Sequence, residues 1–393
     1  MGGSMLDRPS SQTVDHTMAV SRSLLARYAL LAASLVVLGL FLLFADQTFN
    51  GYRLQLVTLI AINAIIAVSL ALTSGFTGVF SLGQIGFYAI GAYVGALLTI
   101  PPQWKGDDFL PGLPGWLAGV DLTGWHPQIA LFVACVAGGG VAAAVAAIVG
   151  APLMRLSGHY VAVATMGFLI IVNSVLINWA EVTRGARGMN QIPGSTNIWV
   201  AFAWALVTLY VVLRIRFSAH GRAMIASREN VIAARAAGVA VLQTRLLAFV
   251  VGAFFTGVAG ALLAHQLGTI TPRAFYFTQT FNVIIMVVLG GMGSATGAVA
   301  GAIFITLAPD QLRGVEDGFT LGPISVGDNF GLSQIILAVV FVLVMIFRPN
   351  GLFGDRELAL RWPRRGRRGT VEPPPPLARR NDSETGGRAG EPG

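Results

Sequence analysis

In this chain of 393 residues, 54% of side chains are hydrophobic and only 11% charged, which excludes an ordinary soluble domain, where about 25% carry charge. The formal net charge is +8, and all 26 basic residues except Lys105 are arginines that cluster outside the apolar runs. A bilayer is the solvent such a chain is built for, and no nucleic-acid partner is expected. The lone Cys135 has no possible intrachain disulfide partner and reads as a small hydrophobe.

Residues 1–27 read as a cytoplasmic N-terminal segment. The first apolar run, Tyr28 to Phe44, follows Arg8, Arg22 and Arg27 and lacks a small-x-small cleavage site before Asp46 and Gln47, so it reads as an uncleaved first span. Further runs cover 54–73, 83–100, 128–150, 159–179, 197–213, 246–265, 275–291, 296–309 and 332–347, many of them near the roughly 20 residues needed to cross about 30 Å of hydrocarbon. The expected fold class is therefore all-α, a polytopic transmembrane helical bundle of about ten spans over residues 28–347. The pair around Gly290, Gly291 and Gly293 is short, so eight spans plus one broken re-entrant element is the alternative.

Counting crossings from a cytoplasmic N-terminus puts 214–245 and 348–393 on the same inner side. The first carries Arg214, Arg216, Arg222, Arg228, Arg235 and Arg245 against Glu229 alone, whereas the outer loop 310–331 carries Asp310, Glu316, Asp317 and Asp328 against Arg313. This asymmetry obeys the positive-inside rule. The tail 348–393 reads as cytoplasmic and largely disordered, rich in Arg, Pro and Gly, its basic start resting on anionic headgroups. The loop Pro101 to Pro127, with Trp104, Trp116 and Trp125, is assigned to the outer side.

Every Asp and Glu falls in a predicted loop or tail, which argues against a carboxylate proton relay. Sodium coupling through broken helices stays open, so an ion-coupled secondary transporter remains an alternative. An ATP-binding P-loop needs a Gly-rich turn ending in Lys, and Lys105 stands in Gln103-Trp104-Lys105-Gly106, so any ATP must be hydrolysed by another chain. Five scattered histidines give no readable metal site. No residue is assigned a catalytic role and no cofactor is expected on this chain.

From Thr73 to Gly95, glycines alternate with bulky residues. Glycines permit helix breaks and close helix contacts, and irregular backbone at membrane depth is tolerated only against protein or a watery cavity. This segment is therefore a candidate translocation path, with Ser81 and Gln84 its best polar residues and small-residue packing the competing explanation. A second signal is Ser227 to Gly238, an Ala-rich basic run that favours helix with Gly238 placed to end it. It reads as a lever on which a cytoplasmic partner could push, or as a solvated inner loop. His159 and Tyr160 read as interfacial anchors, and Asn173 and Asn178 as interhelical hydrogen bonds.

Four stretches resemble the permease subunits of branched-chain amino acid ABC importers, LivM type. They are Gly78 to Phe87 with Ile90 to Tyr93, Leu156 to Thr165, Arg228 to Gly238 leading into Leu247-Ala-Phe249, and Arg348 to Gly354. The resemblance implies a heterodimer with a second permease subunit, two cytoplasmic ATP-binding subunits and an extracytoplasmic solute-binding protein, in a bacterial inner membrane. It implies ATPase coupling through Arg228, Glu229, Asn230, Ala233, Ala234, Arg235 and Gly238. The substrate-pathway candidates are Gly75, Gly78, Ser81, Gly83, Gln84, Gly86, Tyr93 and Thr165. Two departures bear on substrate: Leu169-Ile170-Ile171 stands where the family commonly has an acid, and Thr183 to Gly188 carries two extra arginines. Branched-chain amino acids are the expected cargo, with urea or short amides as the alternative.

Overall fold

The computed structural model describes residues 36–105, 124–156, 158–316 and 332–348, with short pieces at 319–321, 324–326 and 351–354 and a few single positions. The predicted N-terminal segment 1–27, the start of the first span, Trp116 and the tail beyond 354 lie outside the described residues. The apolar helices in chain order are α1 Val36–Thr48, α2 Gly51–Leu70, α3 Gln84–Thr99, α4 Pro127–Leu153, α5 His159–Asn178 and α6 Ile198–Phe217. Two short helices follow, α7 Ala219–Glu229 and α8 Val231–Ala236, and then α9 Val241–Leu267, α10 Phe277–Gly290, α11 Ala295–Glu316 and α12 Leu332–Phe347. The strands β1 Phe319–Leu321 and β2 Ile324–Val326 form a small antiparallel hairpin. Among the described residues seven helical segments are long and apolar enough to cross a membrane, and α1 and α3 are shorter apolar helices. The protein is an all-α polytopic membrane protein.

The spans follow the hydropathy pattern except where a polar turn hides the helix. The helix α9 starts at Val241 rather than 246, because hydropathy misses the turn containing Gln243, Thr244 and Arg245. The helix α11 continues through Pro309 to Glu316 rather than stopping at 309. Asp46 consequently lies in the last turn of α1 and Asp310 in the second-last turn of α11 rather than in loops. The region 275–309 forms two helices, α10 and α11, that pack antiparallel with Gly290 against Gly297 and Gly301 against Met286.

The centre of the bundle is α2, α3 and α9, each buried along most of its length, while α4, α5 and α6 turn apolar faces outward. Burial cannot drive helices together in a medium as apolar as their side chains, so close backbone approach does. A Cβ on Gly91 would lie 2.0 Å from the Gly257 carbonyl, one on Gly260 would lie 2.0 Å from the Tyr88 carbonyl, and one on Gly138 would meet Gly91 at 2.8 Å. These contacts lock α3, α4 and α9 at one crossing. Phe87 adds aromatic contacts to Phe168 of α5 at 4.8 Å and Phe249 of α9 at 5.2 Å.

Some hydrogen bonds between segments distant in sequence cross the middle of the bundle, as from Asn63 to Thr306 and from Gln84 to Thr256, and others lie at its two ends. At one end Tyr52 donates to Asp310, Gln266 to the Gln55 carbonyl, and Met189 bridges Ile270. At the other, arginine-rich end, Arg228 donates to the Gly75 carbonyl, Arg216 to the Gly293 carbonyl, and the Phe353 amide to the Gly290 carbonyl. Gly91→Ala should therefore destabilise the bundle by about 1–3 kcal/mol through overpacking, while Gly140→Ala on α4, with nothing within 4 Å, should leave melting in detergent unchanged or raised.

Candidate coupling and translocation site

The helix α2 does not end cleanly. Beyond Leu70 it widens into a π-turn, Ala71–Gly75, a device common at functional sites. Ser69, Thr73 and Thr77 each donate back to a carbonyl four residues earlier, a pattern that bends helices. Gly75 is buried in this turn, where a Cβ would sit 1.7 Å from the Met292 carbonyl oxygen of the α10–α11 connection. Two irregular segments thus touch at one point.

The π-turn leads into Gly78, whose φ of +71° suits glycine. Ser81 is buried, and its amide donates to Ser74 Oγ at 3.2 Å. Gly83 precedes α3 and, with Gly86, packs on α5, where a Cβ would meet the Thr165 carbonyl at 2.7 Å and the Phe168 ring at 2.9 Å. Thr165 Oγ1 accepts from the Leu82 amide at 3.0 Å and donates to the Ala162 carbonyl, so it fixes the entry to α3.

Behind this loop runs a polar seam between α2, α3 and α9. Gln84 donates through Nε2 to Thr256 Oγ1, and the space above Gly252 is closed by Thr73, the Ser69 carbonyl and Gln84. Ser81 Oγ, Gln84 Oε1 and the hydroxyls of Tyr88 and Tyr93 are buried without hydrogen-bond partners among the described residues. Tyr93 lies further along α3, beyond Ser81 and Gln84, and both its ring and that of Tyr88 lie beside the buried Phe275, at 6.3 and 5.4 Å. Asn173 holds that region by donating to the Pro272 carbonyl at 2.8 Å. Asn178 departs from its interhelical expectation, because its amide bonds Ser174 within its own helix. His159 and Tyr160 are exposed at the start of α5.

The residues expected to couple to an ATPase lie on two helices meeting at Asn230. Its side-chain oxygen accepts from the Ile232 and Ala233 amides, both at 3.0 Å, which caps α8. At the other end Gly238, φ +81°, closes α8, with its amide bonded to Arg235 and that of Val239 to Ala234, a Schellman arrangement. Ala234 is the buried face, whereas Ala233 and Arg235 are exposed. Glu229 is exposed and pairs loosely with Arg228 at 4.0 Å.

Arg228 joins the two candidate sets. Its Nη1 donates to the Gly75 carbonyl at 2.9 Å, and its side chain lies where a Cβ on Gly78 would meet it at 3.0 Å. Arg216 covers the Phe76 ring at 4.9 Å while bonding the Gly293 carbonyl. Sequence reasoning missed Arg216, Thr256 and Ile232. Ile232 is 81% exposed on α8, and the readable signal was a large apolar residue beside Val231 in a short helix that carries Arg235. Among the described residues no group of three His, Cys, Asp or Glu is placed to hold a metal ion. Asn230→Ala should cost α8 about 1 kcal/mol and speed hydrogen exchange at the Ile232 and Ala233 amides roughly fivefold, while Asn230→Asp keeps the cap and near-normal exchange.

Residues 52–347 match the family model described as branched-chain amino acid transport system, permease component. The chain is 31% identical over 332 residues to the high-affinity branched-chain amino acid transport system permease protein LivM of Escherichia coli (strain K12), covering 76% of this chain and 69% of that one. It is 25% identical over 339 residues to LivH of the same strain, covering 81% and 98%. With the probable LivM of Methanocaldococcus jannaschii it shares 22% over 317 residues, covering 75% and 91%. No solved structure matches. A polytopic helical bundle whose family match spans nearly all of its helices is a transport permease component, and the chain belongs to the branched-chain amino acid transport permease family.

Proposed function

We propose that this chain is the permease subunit of an ATP-driven importer that carries branched-chain amino acids across a bacterial inner membrane. It pairs with a second permease subunit, two cytoplasmic ATP-binding subunits that hold the ATP, and an extracytoplasmic solute-binding protein. The spans number ten, with both termini and the arginine-rich end in the cytoplasm, as the positive-inside rule favours.

The observation that carries this reading is the Arg228 bond to the Gly75 carbonyl. A short helix pair that only solvated the inner face would need no bond to a break in a central helix. Here α8 presents exposed Ile232 outward to an ATPase partner, and Arg228 passes its displacement to the π-turn of α2. The polar seam with Ser81 and Gln84 lies just beyond that break and lines the route of a small zwitterion. Energy enters from the partners, since this chain supplies no nucleotide cradle.

The test is uptake of radiolabelled leucine, isoleucine and valine into proteoliposomes holding the full assembly. Uptake should require ATP, the binding protein and both permeases, and Arg228→Gln should reduce it tenfold or more with membrane insertion unchanged. Concentrative uptake driven by an ion gradient without ATPase subunits would replace this reading with a secondary transporter, and uptake of urea or short amides alone would replace the cargo.

A further inference from the structure

Of the four sequence stretches that carry the family resemblance, the one following α12 has no part in the coupling or the seam. Of its described residues, Gly351 to Phe353 nevertheless make specific contacts at the arginine-rich end. They reach α10, which ends at Gly290 where the chain turns at Gly291, φ +111°.

A helix leaves its last four carbonyls without intrahelical donors, and at this end Leu289 and Gly290 are buried, so their carbonyls need donors from within the protein. At the end of α10 the Val287 carbonyl is met by the Gly291 amide at 2.9 Å. The Leu289 carbonyl accepts from the Leu352 amide at 2.8 Å, and the Gly290 carbonyl from the Phe353 amide at 3.2 Å. Gly351 is buried with φ +75°, and a Cβ there would lie 2.6 Å from both Gly291 Cα and Gly291 N. The approach is therefore built for glycine on both sides. Beyond the turn, the Gly291 carbonyl accepts from the Ser294 amide and the Gly293 carbonyl from Arg216. The Met292 carbonyl rests on Gly75 of the π-turn.

We propose that Gly351, Leu352 and Phe353 are positioning residues that form the detached C-terminal turn of α10, holding the α10–α11 connection against the π-turn of α2. The segment supplies two amide donors that α10 cannot supply itself, and its side chains are secondary. Leu352 is 42% exposed, so its amide rather than its side chain is the element under constraint. Through Met292 and Gly75 the same clasp reaches the carbonyl that Arg228 holds, and a chain lacking the turn loses the surface against which that lever works. The cap stands on geometry alone, and its effect on transport rests on the importer reading.

The test compares Leu352→Pro, which deletes the donor, with Leu352→Ala, which keeps it, and a chain ending at residue 348 with one ending at residue 354. Each is read twice, by thermal melting of the purified full-length or truncated chain in detergent and by ATP-dependent uptake in the full assembly. Leu352→Pro and the shorter chain should melt several degrees lower and lose uptake at least tenfold. Leu352→Ala and the longer chain should match wild type in both. Equal melting of Leu352→Pro and Leu352→Ala would overturn the cap. Unequal melting with equal uptake would overturn its positioning role. If the wild-type assembly takes up nothing, the importer reading fails, and the melting comparison still decides the cap.

Discussion

A backbone carbonyl that leaves a helix inside an apolar bundle must find a donor in protein, since no water is there to supply one. The arginine-rich end of this molecule is organised around that requirement. The Gly75 carbonyl is met by Arg228, the Gly293 carbonyl by Arg216, and the Leu289 and Gly290 carbonyls by the amides of Leu352 and Phe353. Guanidinium donors suit this work because they stay charged and offer several N–H groups in a fixed plane. The partner of each carbonyl comes from a different part of the chain, so satisfying the breaks also ties α6, α7 and the segment after α12 to α2 and α10.

The rest of the bundle divides into a rigid part and a permissive part. Where Gly91, Gly257 and Gly260 bring backbones into contact, α3, α4 and α9 have no room for relative movement. Along the seam beside Ser81, Gln84 and Thr256 the packing is polar, and several buried oxygens keep unused hydrogen-bonding capacity among the described residues. A buried polar group without a partner costs about 1–3 kcal/mol, so such groups are the natural place for a passing solute or water to bind. In the proposed importer the glycine crossing is the frame, the seam is the route, and the π-turn is the joint between them.

The helices were legible in the sequence because hydropathy and Gly or Pro punctuation mark membrane spans strongly. The errors lie where a span begins or ends in polar residues, as at Gln243 to Arg245 and at Asp310, because hydropathy averages cannot see a helix that has left the apolar layer. Local chemistry was legible too: Gly238 terminates α8 as its type and position imply, and Asn173 bridges segments as a mid-span amide should. Contacts between distant segments were not. Gly75 and Gly78 read as pathway residues and Arg228 as a coupling residue, yet they touch, and 153 positions separate Gly75 from Arg228. No pattern along the chain encodes that pairing, and a π-turn leaves no composition signature. The glycines of 83–95 also serve packing: Gly83 and Gly86 accommodate Thr165 and Phe168, and Gly91 accommodates Gly257.

The account turns on α8 and the break in α2 moving as one body. The direct measurement is the distance between spin labels at Ile232 and Phe80, both exposed, in the full assembly with Cys135 replaced by alanine, with and without nucleotide on the ATPase partners. A single distance distribution that nucleotide leaves in place is the predicted result. A second distance appearing on nucleotide binding would show the lever sliding past the joint, and would contradict the account.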